Sequence, residues 1–138
     1  MKVLIDTNIA IDALRPNPDF QVEAKNVFLL IWQDKIEPYL CANSLTDIFY
    51  ILRKVQGAEK TKKTIANLMA AVSIVPLSGS DCSGALALPM DDFEDALIAV
   101  CADRIGADYI VSRDEQFINS STAVKVITPG QLIDKLRC

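Results

Sequence analysis

Lys2-Val3-Leu4-Ile5-Asp6-Thr7-Asn8 sets the fold within its first seven residues. Lys2 and three β-branched or aliphatic residues run directly into three residues that favour helix N-caps, so the segment reads as a strand that turns into a helix. Ile9 to Leu14 continues as a short helix, and Pro16-Asn17-Pro18 breaks it before a longer one from about Asp19 to Lys35. The same alternation recurs downstream. A second strand is expected near Pro38 to Ala42, with a helix opening at Ser44-Leu45-Thr46-Asp47 and ending at Gly57. Glu59 to Ala71 is helical, Ser73 to Leu77 is a third strand, and a small-residue helix around Asp81 to Leu88 stops at Pro89.

Met90 to Gly106 is the best-defined helix, with acids in its first turns and Gly106 placed to end it. Tyr109 to Ser112 is a fourth strand and Arg113-Asp114-Glu115-Gln116 a polar turn. Val124 to Ile127 is a fifth strand, and Thr128-Pro129 caps a final helix through Leu136. Short apolar strands alternating with amphipathic helices imply parallel strands joined by right-handed crossovers. The fold class is therefore α/β, a three-layer α/β/α domain around a central, mostly parallel five-stranded sheet. At 138 residues the chain is expected to form a single domain spanning residues 1–138.

Composition narrows the chemistry. Histidine is absent, which removes the Ser-His-Asp triad, the Cys-His pair, the histidine zinc site and every imidazole acid or base. The four cysteines, Cys41, Cys82, Cys101 and Cys138, are widely spaced and read as core thiols. The formal charge of −4 argues against binding nucleic acid by net electrostatics alone. No apolar run suffices to span a bilayer and the N-terminus lacks a basic, cleavable leader, so a soluble, cytoplasmic protein without membrane association is expected.

In open parallel sheets, sites form outside the C-terminal ends of the strands. Asp6 and Asp114 follow the first and fourth strands, while Asp47 and Asp95 fall in the opening turns of two helices. All four can converge at one sheet edge. Each also has a plain structural reading: Asp6 as an N-cap, Asp47 as the acidic partner of a capping box with Ser44, Asp95 as part of a solvated acidic turn, and Asp114 as a turn residue. Together they form a set of oxygen donors suited to a hard cation, magnesium or manganese. Such a cation shields the carboxylates from one another and activates water for attack on a phosphodiester.

The ordered motifs resemble those of a known family. Val3-Leu4-Ile5-Asp6-Thr7-Asn8 resembles the opening of PIN domains, and Ser44-Leu45-Thr46-Asp47 falls where they carry a second acid. Asp92-Phe93-Glu94-Asp95-Ala96-Leu97-Ile98-Ala99, with Gly106-Ala107-Asp108-Tyr109-Ile110-Val111-Ser112-Arg113-Asp114, resembles their C-terminal half. The resemblance spans essentially the whole chain. It implies a Rossmann-like PIN domain and a divalent-metal-dependent ribonuclease, similar to the toxins of VapBC-type toxin–antitoxin systems.

By that resemblance, Asp6, Asp47, Asp95 and Asp114 are the catalytic acids, with Asp6, Asp95 and Asp114 holding metal. Thr7, Asn8 and Ser112 are supporting hydrogen-bonding neighbours. The family more often carries Glu at the second acid, so Asp47 is shorter by one methylene. Asp92 and Glu94 lie close enough in sequence to compete with Asp95, which fits the motif best.

Arg53, Lys54, Lys60, Lys62 and Lys63 form the basic concentration of the chain, and Lys60, Lys62 and Lys63 are candidate RNA contacts or a solvated helix surface. Phe28, Ile31, Trp32, Phe49 and Tyr50 are core by default, or a contact for an antitoxin or a second copy in a homodimer. Two other functions stay open: an aspartyl-phosphate phosphatase using Asp6, and an inactive PIN scaffold that binds RNA or protein.

Overall fold

The computed structural model describes residues 1–137, so Cys138 lies outside the described residues. The strands are β1 (Lys2–Ile5), β2 (Glu37–Cys41), β3 (Ser73–Val75), β4 (Tyr109–Val111) and β5 (Val126–Ile127). Around them lie α1 (Thr7–Leu14), α2 (Gln21–Trp32), α3 (Ala42–Gln56), α4 (Ala58–Ala71), α5 (Gly79–Ala87), α6 (Phe93–Arg104), α7 (Glu115–Ile118) and α8 (Pro129–Leu136). The sheet order is β3-β2-β1-β4-β5 and every pairing is parallel. The chain builds outward from β1 on one side, then returns to add β4 and β5 on the other. The strand order therefore reverses between β1 and β4, the crevice where such sheets bind ligands.

Alternation along β1 divides the core. Val3 and Ile5 face the layer of α1, α2, α3, α4 and α8, burying Ile9, Val27, Ile48, Leu52 and Leu132. Leu4 faces the opposite layer, with Ile98, Cys101 and Ala102 of α6 and Phe117 of α7. With Val3, Leu4 and Ile5 buried on one face or the other, a one-residue slip would exchange the two layers; burial therefore specifies the register. Cys41 and Cys101 are core thiols as expected, whereas Cys82 is half-buried. No helix among the described residues is long and apolar enough to cross a membrane.

Several element ends differ from the sequence reading. The second strand runs from Glu37 to Cys41, the third stops at Val75, the fourth at Val111, and the fifth shortens to Val126–Ile127. The second strand keeps its expected length but is shifted by one residue, and the third stops before Pro76, which has no N–H to give to a ladder. The expected long helix starts at Gln21 and ends at Trp32. Asn17 to Phe20 instead forms a turn, with the Phe20 and Gln21 N–H groups donating to the Asn17 carbonyl. The small-residue helix begins at Gly79, capped by a reciprocal Ser78–Asp81 box. Arg113 to Gln116 is not simply a turn: Asp114 caps the short helix α7.

The largest revision concerns α3. It begins directly at the end of β2, with Cys41 at the N-cap and no side-chain cap, so Ser44 and Asp47 lie inside the helix and form no capping box.

Candidate active site

Three strand-to-helix junctions and one loop meet at the C-terminal edge of β1 and β4. β1 ends in Asp6, whose backbone N–H bonds the Val111 carbonyl (2.9 Å) and so extends the β1–β4 pairing by one residue. Asp6 Oδ1 accepts the Thr7 N–H (2.8 Å) and caps α1, while Oδ2 accepts the Ser112 hydroxyl (2.6 Å). The N-cap and site readings of Asp6 are thus compatible, since capping uses one oxygen. Ser112, fully buried after β4, also accepts from the Asn8 amide (3.4 Å) and from the Asp114 N–H (3.1 Å). One hydroxyl thereby fixes Asp6, Asn8 and the loop that carries Asp114.

Asp6, Asp47, Asp92, Glu94, Asp95 and Asp114 line a single open cleft of about 440 Å³, together with Thr7, Asn8, Ile11, Tyr50 and Ile51. No lysine or arginine lines it, and Lys60, Lys62 and Lys63 instead sit exposed in the first turns of α4. The structure brings the four expected acids together and adds two. Asp92 is committed to capping α6, accepting the Asp95 N–H at 3.1 Å. Glu94 has no such duty. Its Oε1 accepts the Thr7 hydroxyl (3.0 Å), which is itself 2.6 Å from the buried Ser44 hydroxyl, and its carboxyl meets that of Asp47. Thr7 therefore orients Glu94 and Ser112 orients Asp6. In sequence Glu94 is masked by its own acidic turn; its signal is only that it precedes Asp95 in the same helical turn.

Crowding without countercharge perturbs these acids. Burial, and secondarily the charges of Asp6, Asp92 and Asp114, push Asp95 up to about 7, although the side chain opens on the cleft. Burial, opposed by the Thr7 hydroxyl and reinforced by Asp47, pushes Glu94 to about 7. Burial also raises Asp6 above the usual carboxylate range, against the lowering effect of Ser112 and the Thr7 N–H.

A carboxyl with a raised pKa holds its proton longer when folded than when unfolded, so its contribution to stability is present at low pH and lost as pH rises through the folded pKa. In chelator, melting temperature should fall between about pH 5 and pH 8 by roughly 5–10 °C for a domain of this size. Thermal melts across that range check it; a melting temperature that rises from pH 5 to pH 8 would contradict the reading.

The donors fit a hard divalent cation in kind: carboxylate oxygens, plus the buried Asn8 Oδ1, which has no hydrogen-bond partner. As the side chains stand, no group of three or more carboxylates or thiols among the described residues is arranged to hold a metal ion. The acids form a lined cleft and not a finished cage.

Comparison with known proteins agrees with this architecture. Ribonuclease VapC1 of Aquifex aeolicus (strain VF5) is 25% identical over 142 residues, covering 97% of this chain and 94% of that protein. VapBC2 from Rickettsia felis, solved bound to a DNA fragment from its promoter, superposes with a TM-score of 0.69 at 18% identity, over 93% of this chain and 98% of that one. Mycobacterium tuberculosis VapC20, described as a sarcin-ricin loop cleaving toxin, gives a TM-score of 0.69 at 14% identity, over 88% of this chain and 96% of that one. The two structural likenesses carry the fold. Residues 2–116 match the family model for the PIN domain, a span that contains every acid of the cleft, and the chain belongs to the PIN domain family.

Proposed function

We propose that this protein is a divalent-metal-dependent endoribonuclease that serves as the toxin of a toxin–antitoxin pair. The observation that carries the reading is the convergence of Asp6, Asp47, Glu94, Asp95 and Asp114 on one cleft at the sheet's switch point, with no lysine or arginine in the lining. Similarity to ribonuclease VapC1 supports the activity, and the VapBC2 likeness is the basis for proposing an antitoxin partner. A homodimer acting in the cytoplasm, with magnesium or manganese as cofactor, completes the proposal.

In this reading Asp6, Asp95 and Asp114 hold the cation and Asp47 assists. When bound, the cation lowers the pKa of water and shields charge building on the phosphate. Cleavage joins a water oxygen to phosphorus and breaks the bond to the 3′ oxygen, which leaves with a proton. The products are a 5′-phosphate and a 3′-hydroxyl. Ser112 keeps Asp6 in one rotamer and ties it to the Asp114 loop, so the two acids move as a unit. Lys60, Lys62 and Lys63, exposed at the start of α4, serve the RNA backbone beyond the cleft.

An aspartyl-phosphate mechanism is disfavoured because that chemistry wants a second acid two positions after the nucleophile, and Asn8 stands there. Single-stranded RNA incubated with purified protein should be cut in magnesium or manganese, spared in chelator, and cut again when the ion is restored. Undiminished cutting in chelator would remove the metal from the mechanism.

A further inference from the structure

The face of α3 that enters the cleft continues beyond the acids. Asp47, Tyr50 and Ile51 all line the cleft, and Lys54 follows at the spacing that keeps residues on one helix face. At about 1.5 Å per residue, Tyr50 lies about 4.5 Å and Lys54 about 10.5 Å along the axis from Asp47. Read from the sheet edge outward, the stripe is an acid, an aromatic ring, an aliphatic side chain and a cation.

Tyr50 lines the cleft and is 53% exposed, so its ring is open to a partner from solvent. Phe49 supports it edge-on, with centroids 6.3 Å apart and planes at 82°, and the Arg53 guanidinium lies 5.3 Å from its centroid. Arg53 and Lys54 are exposed, and neither belongs to an ion pair among the described residues. These are the ingredients of single-stranded nucleic-acid recognition, an aromatic ring with Arg53 over one face and the other face for a base, and exposed cations for the adjoining phosphates.

We infer that Tyr50 is a stacking shelf for an unpaired base next to the scissile phosphate, with Arg53 and Lys54 holding the phosphate beyond it. The inference rests on the ribonuclease reading and adds to it the residue that holds the base beside the cleft. A paired base is stacked within its helix and cannot lie on the ring. The shelf also orients the strand, because the acids lie at one end of the stripe and the cations at the other.

The test uses the full chain carrying Asp114→Asn, so that RNA persists, in magnesium, with fluorescein-labelled oligouridine and an abasic ribose-phosphate chain of equal length. The shelf requires the oligouridine to bind about 10-fold tighter than the abasic chain. Tyr50→Ala should abolish that preference, Tyr50→Trp should keep it, and Lys54→Glu should weaken both chains alike and reduce the salt dependence. A preference for bases that survives Tyr50→Ala would overturn the shelf and leave Tyr50 as a protein-contact residue. If the unmutated chain leaves RNA intact in magnesium and manganese, the ribonuclease reading falls and this inference with it. Cleavage by the parent with no effect of Tyr50→Ala on base preference defeats the shelf alone.

Discussion

Asp95→Asn should lower RNA cleavage on the order of 10³-fold and, in the same protein, raise stability in chelator at pH 8. Both effects come from one carboxylate. Asp95 is 7% exposed and its carboxyl is pushed up to about 7, first by burial and then by the charges of Asp6, Asp92 and Asp114. At pH 8 it is ionised at a cost to the fold. Asparagine has nearly the same shape and no charge, so it relieves that cost while removing the charge and one of the two oxygens that the proposal assigns to the cation. The N-cap contact from Asp92 reaches the backbone N–H of residue 95 and survives the substitution.

Stability should return toward the parent's pH 5 value, a gain of several degrees in melting temperature. Measuring rate and melting temperature on one preparation separates this from ordinary damage, which lowers both. Turnover within a few-fold of the parent would take Asp95 out of the metal-holding set. A fall in both rate and melting temperature would assign it a structural role.

Part of this site is legible in local sequence signals. Asp6 and Asp114 stand where strands run out, and a strand reads plainly from Val3, Leu4 and Ile5 or from Tyr109, Ile110 and Val111. Asp95 opens a helix whose ends are marked by acids at the start and Gly106 at the finish, and Gly106 indeed takes a positive φ of 66°. Local signals thus locate three of the acids, and parallel-sheet topology brings them to one edge.

What sequence does not supply is the pairing between distant elements. Ser44-x-x-Asp47 has the local form of a capping box, yet Ser44 is fully buried against Thr7, 37 residues away, in a contact that depends on how α1 packs on α3. Local capping loses here because the helix begins three residues earlier, at the point where β2 releases the chain. Glu94 stands in sequence only as a competitor of Asp95 for the same reason: its partners Thr7 and Asp47 come from two other helices. The Lys60, Lys62 and Lys63 group reads as a cluster in sequence, whereas the cations on the helix face that enters the cleft begin with Lys54.

Arg113 is the other residue whose importance comes from a distant partner, and its removal should carry the largest stability cost of any substitution near the site. Asp12, on α1, is 1% exposed, and its carboxylate is held by the Arg113 guanidinium through both oxygens and by the Asn17 amide at 3.0 Å. Arg113 also lies over the Phe20 ring, 4.1 Å from its centroid, so one side chain closes α1, the turn before α2 and the loop after β4 into a single block. That loop carries Ser112 and Asp114.

Arg113→Met keeps much of the aliphatic packing but leaves a buried carboxylate without its cation. Breaking such a pair costs about 3–5 kcal/mol when fully buried, and the partly exposed guanidinium here places the expected loss at about 2–3 kcal/mol. Melting temperature should drop by roughly 10 °C. The double variant Arg113→Met, Asp12→Leu removes both charges and should recover much of that loss, since the penalty lies in the orphaned charge. RNA cleavage should stay impaired in both variants because the Asp114 loop has lost its anchor to α1. Recovery of stability together with parental cleavage in the double variant would show that Ser112 alone positions Asp114. A double variant no more stable than Arg113→Met would show that the block is held by the shape of the guanidinium, not by its charge.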